Sequence, residues 1–84
     1  MHAITLPAVA GKGLAGRFGI VVRRLRTAAG LSQEDLADLC GLHRTYIGSI
    51  ERGEKTVTIA TADRVAEAFG LRLWQLLKNV DEEP

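Results

Sequence analysis

Arg44, Thr45, Ser49 and Arg52 fall on one side of a short helical stretch, and Ile47 and Ile50 fall on the other. A guanidinium fork can bond O6 and N7 of a guanine together, which is worth ~1–3 kcal/mol of discrimination. A threonine offers its methyl to thymine or its hydroxyl to a base or phosphate. Carried on a helix held from behind by isoleucines, such groups suit the edges of bases in a duplex groove. Gly48 is expected on the outward side as well, where it allows close approach at roughly 1 kcal/mol against alanine in mid-helix. Tyr46 has two roles open to it, its ring packing on the core and its hydroxyl reaching a backbone. Around these lie candidate phosphate contacts: His43 at the start of the helix, and Arg52, Lys55 and Thr56 at and beyond its end. Arg44 could also neutralise a phosphate instead of reading a base. Phosphate contacts hold register and carry no sequence information.

The elements that position these groups are legible in the run from Ser32 to Gly53, SQEDLADLCGLHRTYIGSIERG. Ser32 can cap a first helix, its hydroxyl accepting an orphan backbone N–H one turn on. Glu34, Asp35 and Asp38 follow, two of them in the first turn, where acids suit the helix dipole. Leu36, Ala37 and Cys40 share one face, and Leu39 points away from it. Gly41 supplies a left-handed stop, Leu42 buries into the angle, and His43 or its neighbour opens the second helix. Two short helices joined by such a turn form a helix-turn-helix, with the second helix presented to a major groove.

Other helices are expected on both sides. Phe18, Val21, Val22, Leu25, Ala28 and Ala29 form an apolar stripe from about Arg17 to Gly30. Thr58 reads as the cap of a fourth helix, with Ile59, Ala62, Val65, Ala66 and Phe69 on its buried face. Leu71 to about Leu77 makes a short fifth helix, and the acidic residues after it fray. The division is therefore a flexible arm over 1–16, broken by Pro7, Gly11, Gly13 and Gly16, a helical domain over 17–78, and an acidic tail over 79–84. No strand alternation, repeat or second domain is visible.

Composition agrees. The chain of 84 residues is 46% apolar, enough for one small domain whose core gains from a partner subunit. No stretch is long and apolar enough for a bilayer, and Met1–Ala10 lacks a basic n-region, which makes cytoplasm the expected compartment. One cysteine excludes an internal disulfide and argues against structural zinc; on an apolar face, Cys40 reads as an inert small hydrophobe. Net charge is only +1, but its placement is uneven. Lys12, Arg17, Arg23, Arg24 and Arg26 precede any acid, while Arg44, Arg52 and Lys55 surround the second helix of the motif. Attraction to phosphates depends on that local placement.

Leu31, Ser32, Gln33, Leu36, Ala37, Gly41, Tyr46, Ile47, Glu51 and Gly53 carry a resemblance to the phage-repressor-type Cro/C1 or Xre-like helix-turn-helix regulators. It extends from about Phe18 to about Leu77. The run HRTYIGSIERG followed by TVTI is also similar to controller proteins of restriction–modification systems. The resemblance implies an all-α, compact five-helix lambda-repressor-like domain. It implies a DNA-binding transcriptional regulator that acts as a homodimer on a palindromic operator and represses or activates promoters. It further implies that Arg26 and Glu51 form a partly buried ion pair, and that Gln33 binds a phosphate while steadying a recognition-helix side chain. The dimer contact would fall on Leu73, Trp74, Leu76 and Leu77, with Leu39 an additional candidate. The acidic edge of Glu34, Asp35 and Asp38 matches a surface used for RNA polymerase contact, although dipole complementarity alone accounts for it.

Rival classes are weaker. GKGLAG follows no strand and lacks the ending of a phosphate-cradling loop, and no nucleophile stands beside a base, so neither catalysis nor a cofactor is expected. An antitoxin-like or coactivator-like adaptor with the same fold is the alternative. The outward Arg44, Thr45 and Ser49 argue against it.

Overall fold

The structure, a computed structural model, describes residues 13–84. Among the described residues there are five helices and no strands: α1 (Leu14–Ala28), α2 (Gln33–Cys40), α3 (Arg44–Glu51), α4 (Ile59–Ala68) and α5 (Leu73–Glu82). Helix α1 packs on α3 and α5, α2 on α3 and α4, and α4 on α5. Phe18, Val21 and Val22 of α1 meet Leu36, Ala37 and Cys40 of α2 in one core with Ile47, Ile50, Ala62, Val65, Ala66, Leu76 and Val80.

Local chemistry explains where the elements begin and stop. Ser32 and Asp35 close a reciprocal capping box: the Asp35 N–H donates to Ser32 Oγ, and the Ser32 N–H donates to Asp35 Oδ2, each at 2.9 Å. Thr58 caps α4 by accepting the Thr61 N–H at 3.1 Å. Between α2 and α3, Gly41 has φ +69°, a conformation that side chains with a Cβ rarely adopt. The Leu42 N–H then reaches back to the Ala37 carbonyl at 2.9 Å, and the turn closes.

Several expectations are corrected. Helix α1 opens at Leu14, three residues before the expected start, so residues 14–16 belong to a helix and not to an arm. Residues 1–12 of the expected arm, including Lys12, lie outside the described residues. Ala28 and Ala29 are exposed at the end of α1 and do not extend its buried stripe. Helix α5 is longer than expected and shifted toward the C-terminus. Its stripe continues from Leu73 and Leu76 to Val80, whose burial carries the helix through to Glu82. Directly after it, the Glu83 carboxylate pairs with Arg24 of α1, so this one acid of the expected tail ties the end of α5 to α1. Ile59 is not buried: it is 76% exposed, on the rim of an open groove.

Candidate nucleic-acid interface

Helix α3 is fixed from behind. Ile47 and Ile50 are fully buried, and the ring of Tyr46 packs against the same core. Arg44 and Thr45 are exposed on the other side, and Ser49 is half-buried with its hydroxyl donating to the Thr45 carbonyl at 3.1 Å. His43 is the N-cap of α3. Its Nδ1 accepts the Thr45 N–H at 3.1 Å and lies 2.7 Å from Thr45 Oγ1. An Nδ1 that accepts leaves the proton of a neutral imidazole on Nε2, where it can donate outward.

The far end of α3 is held by charge. Arg26 of α1 donates from Nε to Glu51 Oε2 at 2.6 Å and from Nη2 to Oε1 at 3.0 Å, and its Nη1 donates to the Leu31 carbonyl at 2.9 Å. The paired side chains are 12% and 3% exposed. Hydrogen bonding to Glu51 raises the guanidinium's already high pKa, against an opposing effect of burial. Gln33 joins this junction by donating from Nε2 to Glu51 Oε1 at 3.1 Å. One amide proton of Gln33 thereby steadies α3, and its second remains available to a phosphate.

Gly48 is corrected: it is buried and not part of the outward face. A Cβ built on it would lie 3.1 Å from Arg52 Nη1 and 3.6 Å from Gln33 Oε1, so these side chains roof it over. Arg52 is itself engaged, donating from Nε to Glu54 Oε2 at 2.8 Å and from Nη2 to Oε1 at 3.2 Å. Lys55 and Thr56 are exposed. They border an apolar groove of about 660 Å³ between the start of α1, the loop before α4, and α5.

Of the four residues expected at a subunit contact, Leu76 is corrected: it is fully buried and belongs to the core of its own chain. Trp74 is 60% exposed, Leu77 is exposed, and Leu73 packs partly against the core. Leu73 and Leu77 line the groove, together with Leu14, Val57 and Ile59. Leu39 is exposed on α2. In the acidic edge all three carboxylates are exposed, but Asp35 is committed to the capping box, leaving Glu34 and Asp38. Its carboxyl is held below the ordinary aspartate value, first by the Ser32 backbone N–H and then by the Ser32 hydroxyl.

Two contributors escaped the sequence reading. Gly19 lies where α1 crosses the end of α3, and a Cβ there would fall within 2.2 Å of the Ile50 carbonyl oxygen. A glycine inside an apolar helical stripe was its signal, since such a position often marks close backbone approach. Glu54 was the other, two residues from an arginine already singled out. Cys40 is buried, with its thiol pKa pushed up by burial, as an inert core residue requires. Among the described residues no cluster of acids, histidine or cysteine could hold a metal, and no helix is long and apolar enough to cross a membrane.

A capped support helix, a glycine turn, and a second helix buried along its back with arginine and hydroxyls forward define a helix-turn-helix DNA-binding domain. Sequence comparison agrees: the family described as Helix-turn-helix matches residues 22–73, and the chain belongs to it. Control protein C.SmaI of Serratia marcescens is 50% identical over 56 residues, 67% of this chain and 67% of that protein. Control protein C.BamHI of Bacillus amyloliquefaciens is 43% identical over 61 residues, 71% of this chain and 75% of that one. The crystal structure of the restriction-modification controller protein C.AhdI from Aeromonas hydrophila is similar with a TM-score of 0.71 at 44% identity, covering 74% of this chain and 94% of that chain. The protein is an Xre-like, DNA-binding transcriptional regulator.

Proposed function

We propose that this regulator acts in the cytoplasm as a homodimer on a palindromic operator, reading bases with Arg44, Thr45 and Ser49 of α3. The observation that carries the reading is the split of α3 into a fully buried back, Ile47 and Ile50, and a front on which Arg44 and Thr45 are exposed and Ser49 is half-buried. Gln33, the Nε2–H of His43, Arg52 and Lys55 with Thr56 would grip phosphates and set the helix in register. One such motif reads only a few base pairs, so a two-fold dimer supplies the remaining affinity and specificity. Leu14, Ile59, Trp74 and Leu77 give that dimer a surface. All four are exposed large apolar side chains, and three of them line the groove at the start of α1.

The named relatives support a controller role in restriction–modification for this chain as well. Bound over a promoter, the dimer would exclude polymerase. Bound upstream, Glu34 and Asp38 would offer RNA polymerase an acidic contact.

Selection from a random duplex pool at near-physiological salt tests the reading. Wild type should enrich a palindrome that Arg44→Ala fails to select, with a loss of ~1–3 kcal/mol on the enriched site. No enrichment by wild type, with only weak salt-sensitive binding, would rule out sequence-specific operator recognition.

A further inference from the structure

Arg52 stands at the end of α3 with its guanidinium over Gly48 and Nη2 3.5 Å from Ser49 Oγ, at the margin of the face that carries Arg44, Thr45 and Ser49. One bidentate edge of that guanidinium, Nε–H with Nη2–H, is already filled. Glu54 accepts from both Nε and Nη2, in the two-point geometry by which a guanidinium also takes a phosphate. Both side chains are more than half exposed, so the bond can open without moving the core.

We propose that Glu54 is an internal competitor for the DNA backbone: in the free protein its carboxylate occupies the Nε–Nη2 edge of Arg52, and a backbone phosphate that takes this edge displaces it. The inference rests on the reading that this end of α3 faces DNA. Glu54 thereby acts as an affinity-setting residue through Arg52. A phosphate has to outbid a carboxylate tethered two residues away, whose effective concentration is high. The ion pair is also rebuilt whenever DNA leaves. Because phosphates carry no sequence information, the brake acts on operator and random DNA alike.

The lowered pKa of Glu54, caused first by its hydrogen bonds to Arg52, agrees with a carboxylate that stays ionised in this pair at neutral pH. Arg26–Glu51 offers no such competitor, since its side chains are buried and its guanidinium is bonded on three nitrogens.

The test is a double-mutant cycle on mixed-sequence duplex DNA, read as binding affinity at fixed salt. Glu54→Gln removes the charge and keeps the side-chain length. It should tighten binding about twofold to fivefold, the range of exposed ion pairs. In an Arg52→Gln background the same substitution should change nothing, because the fork it frees is gone. An equal gain in both backgrounds would show that Glu54 only repels DNA through its field, and would overturn the proposal. No gain in either would overturn it as well. Failure of wild type to bind any duplex would instead bring down the DNA reading on which the proposal depends.

Discussion

Two arginine–carboxylate pairs flank the recognition helix, with nearly the same geometry and opposite surroundings. In Arg26–Glu51 the side chains are 12% and 3% exposed; in Arg52–Glu54 they are 61% and 54% exposed. Each carboxylate takes two bonds from its guanidinium. Burial decides what those bonds do. At the inner pair water is a poor substitute for a lost partner, and the Leu31 carbonyl and Gln33 add one bond each to Arg26 and Glu51. Among the described residues no buried side-chain nitrogen or oxygen lacks a partner, and the junction fixes the angle of α3 against α1. At the outer pair both side chains are more than half exposed, so water can take a lost partner's place and the proposed phosphate competitor has access. The one pair is a clamp and the other an exchangeable contact.

The inner clamp is most vulnerable at Gly19. An added Cβ would lie 2.2 Å from the Ile50 carbonyl oxygen and 2.8 Å from that of Glu51, and both are backbone atoms of α3. Neither can swing aside, so α1 must lift and carry Arg26 away from Glu51. Gly19→Ala should cost about 4 kcal/mol or more, at the upper end of what single substitutions do, measured by denaturant unfolding. A stability within error of wild type would mean that α1 and α3 do not approach as closely as the clamp requires.

Glu51→Ala should follow, at about 3 kcal/mol, since it strands Arg26 with the Leu31 carbonyl alone and leaves Gln33 without its acceptor. DNA binding should fall with it even at temperatures where the domain stays folded, because α3 loses its support at one end. A melting curve identical to wild type would refute the clamp. Glu54→Gln supplies the contrast: its melting temperature should match wild type, because an exposed pair contributes little to folding. If instead it melts early, the outer pair is structural too, and the distinction between the two fails.

Much of this arrangement is legible in the chain, and the reasons are local. Ser32, Gly41 and Thr58 act within a turn of their own positions, so cap, stop and cap can be read from residue type alone. Ile47 and Ile50 follow from helical spacing, and the Arg26–Glu51 pair from family resemblance. What the chain did not disclose depends on neighbours distant in sequence. Leu76 and Trp74 both belong to an apolar cluster, and only the approach of α1 and α4 decides that Leu76 is core and Trp74 is surface. The shift of α5 depends likewise on Val80 finding the core and Glu83 finding Arg24. Gly48 is buried by the reach of Gln33 and Arg52, which no periodicity in α3 encodes.

Asp35 is a third paired carboxylate, and its loss should have a smaller effect than loss of the buried arginine pair. Like Glu54 it is exposed, yet its partner is a backbone N–H and not a mobile guanidinium. A backbone donor held in place by the fold costs little entropy to engage, so exposure alone does not make a carboxylate idle. The Ser32 N–H holds the folded-state pKa below the ordinary value of 3.8, so Asp35 favours the folded state when ionised. That contribution is complete above the unfolded value and disappears as pH falls through the folded one. Wild type should therefore melt slightly above Asp35→Asn at neutral pH, and the gap should close on acidification below the ordinary aspartate range. A gap that is constant with pH would mean that asparagine loses shape at the cap and not charge. The capping box would then stand on its hydrogen bonds alone, with the exposed charge contributing nothing to α2.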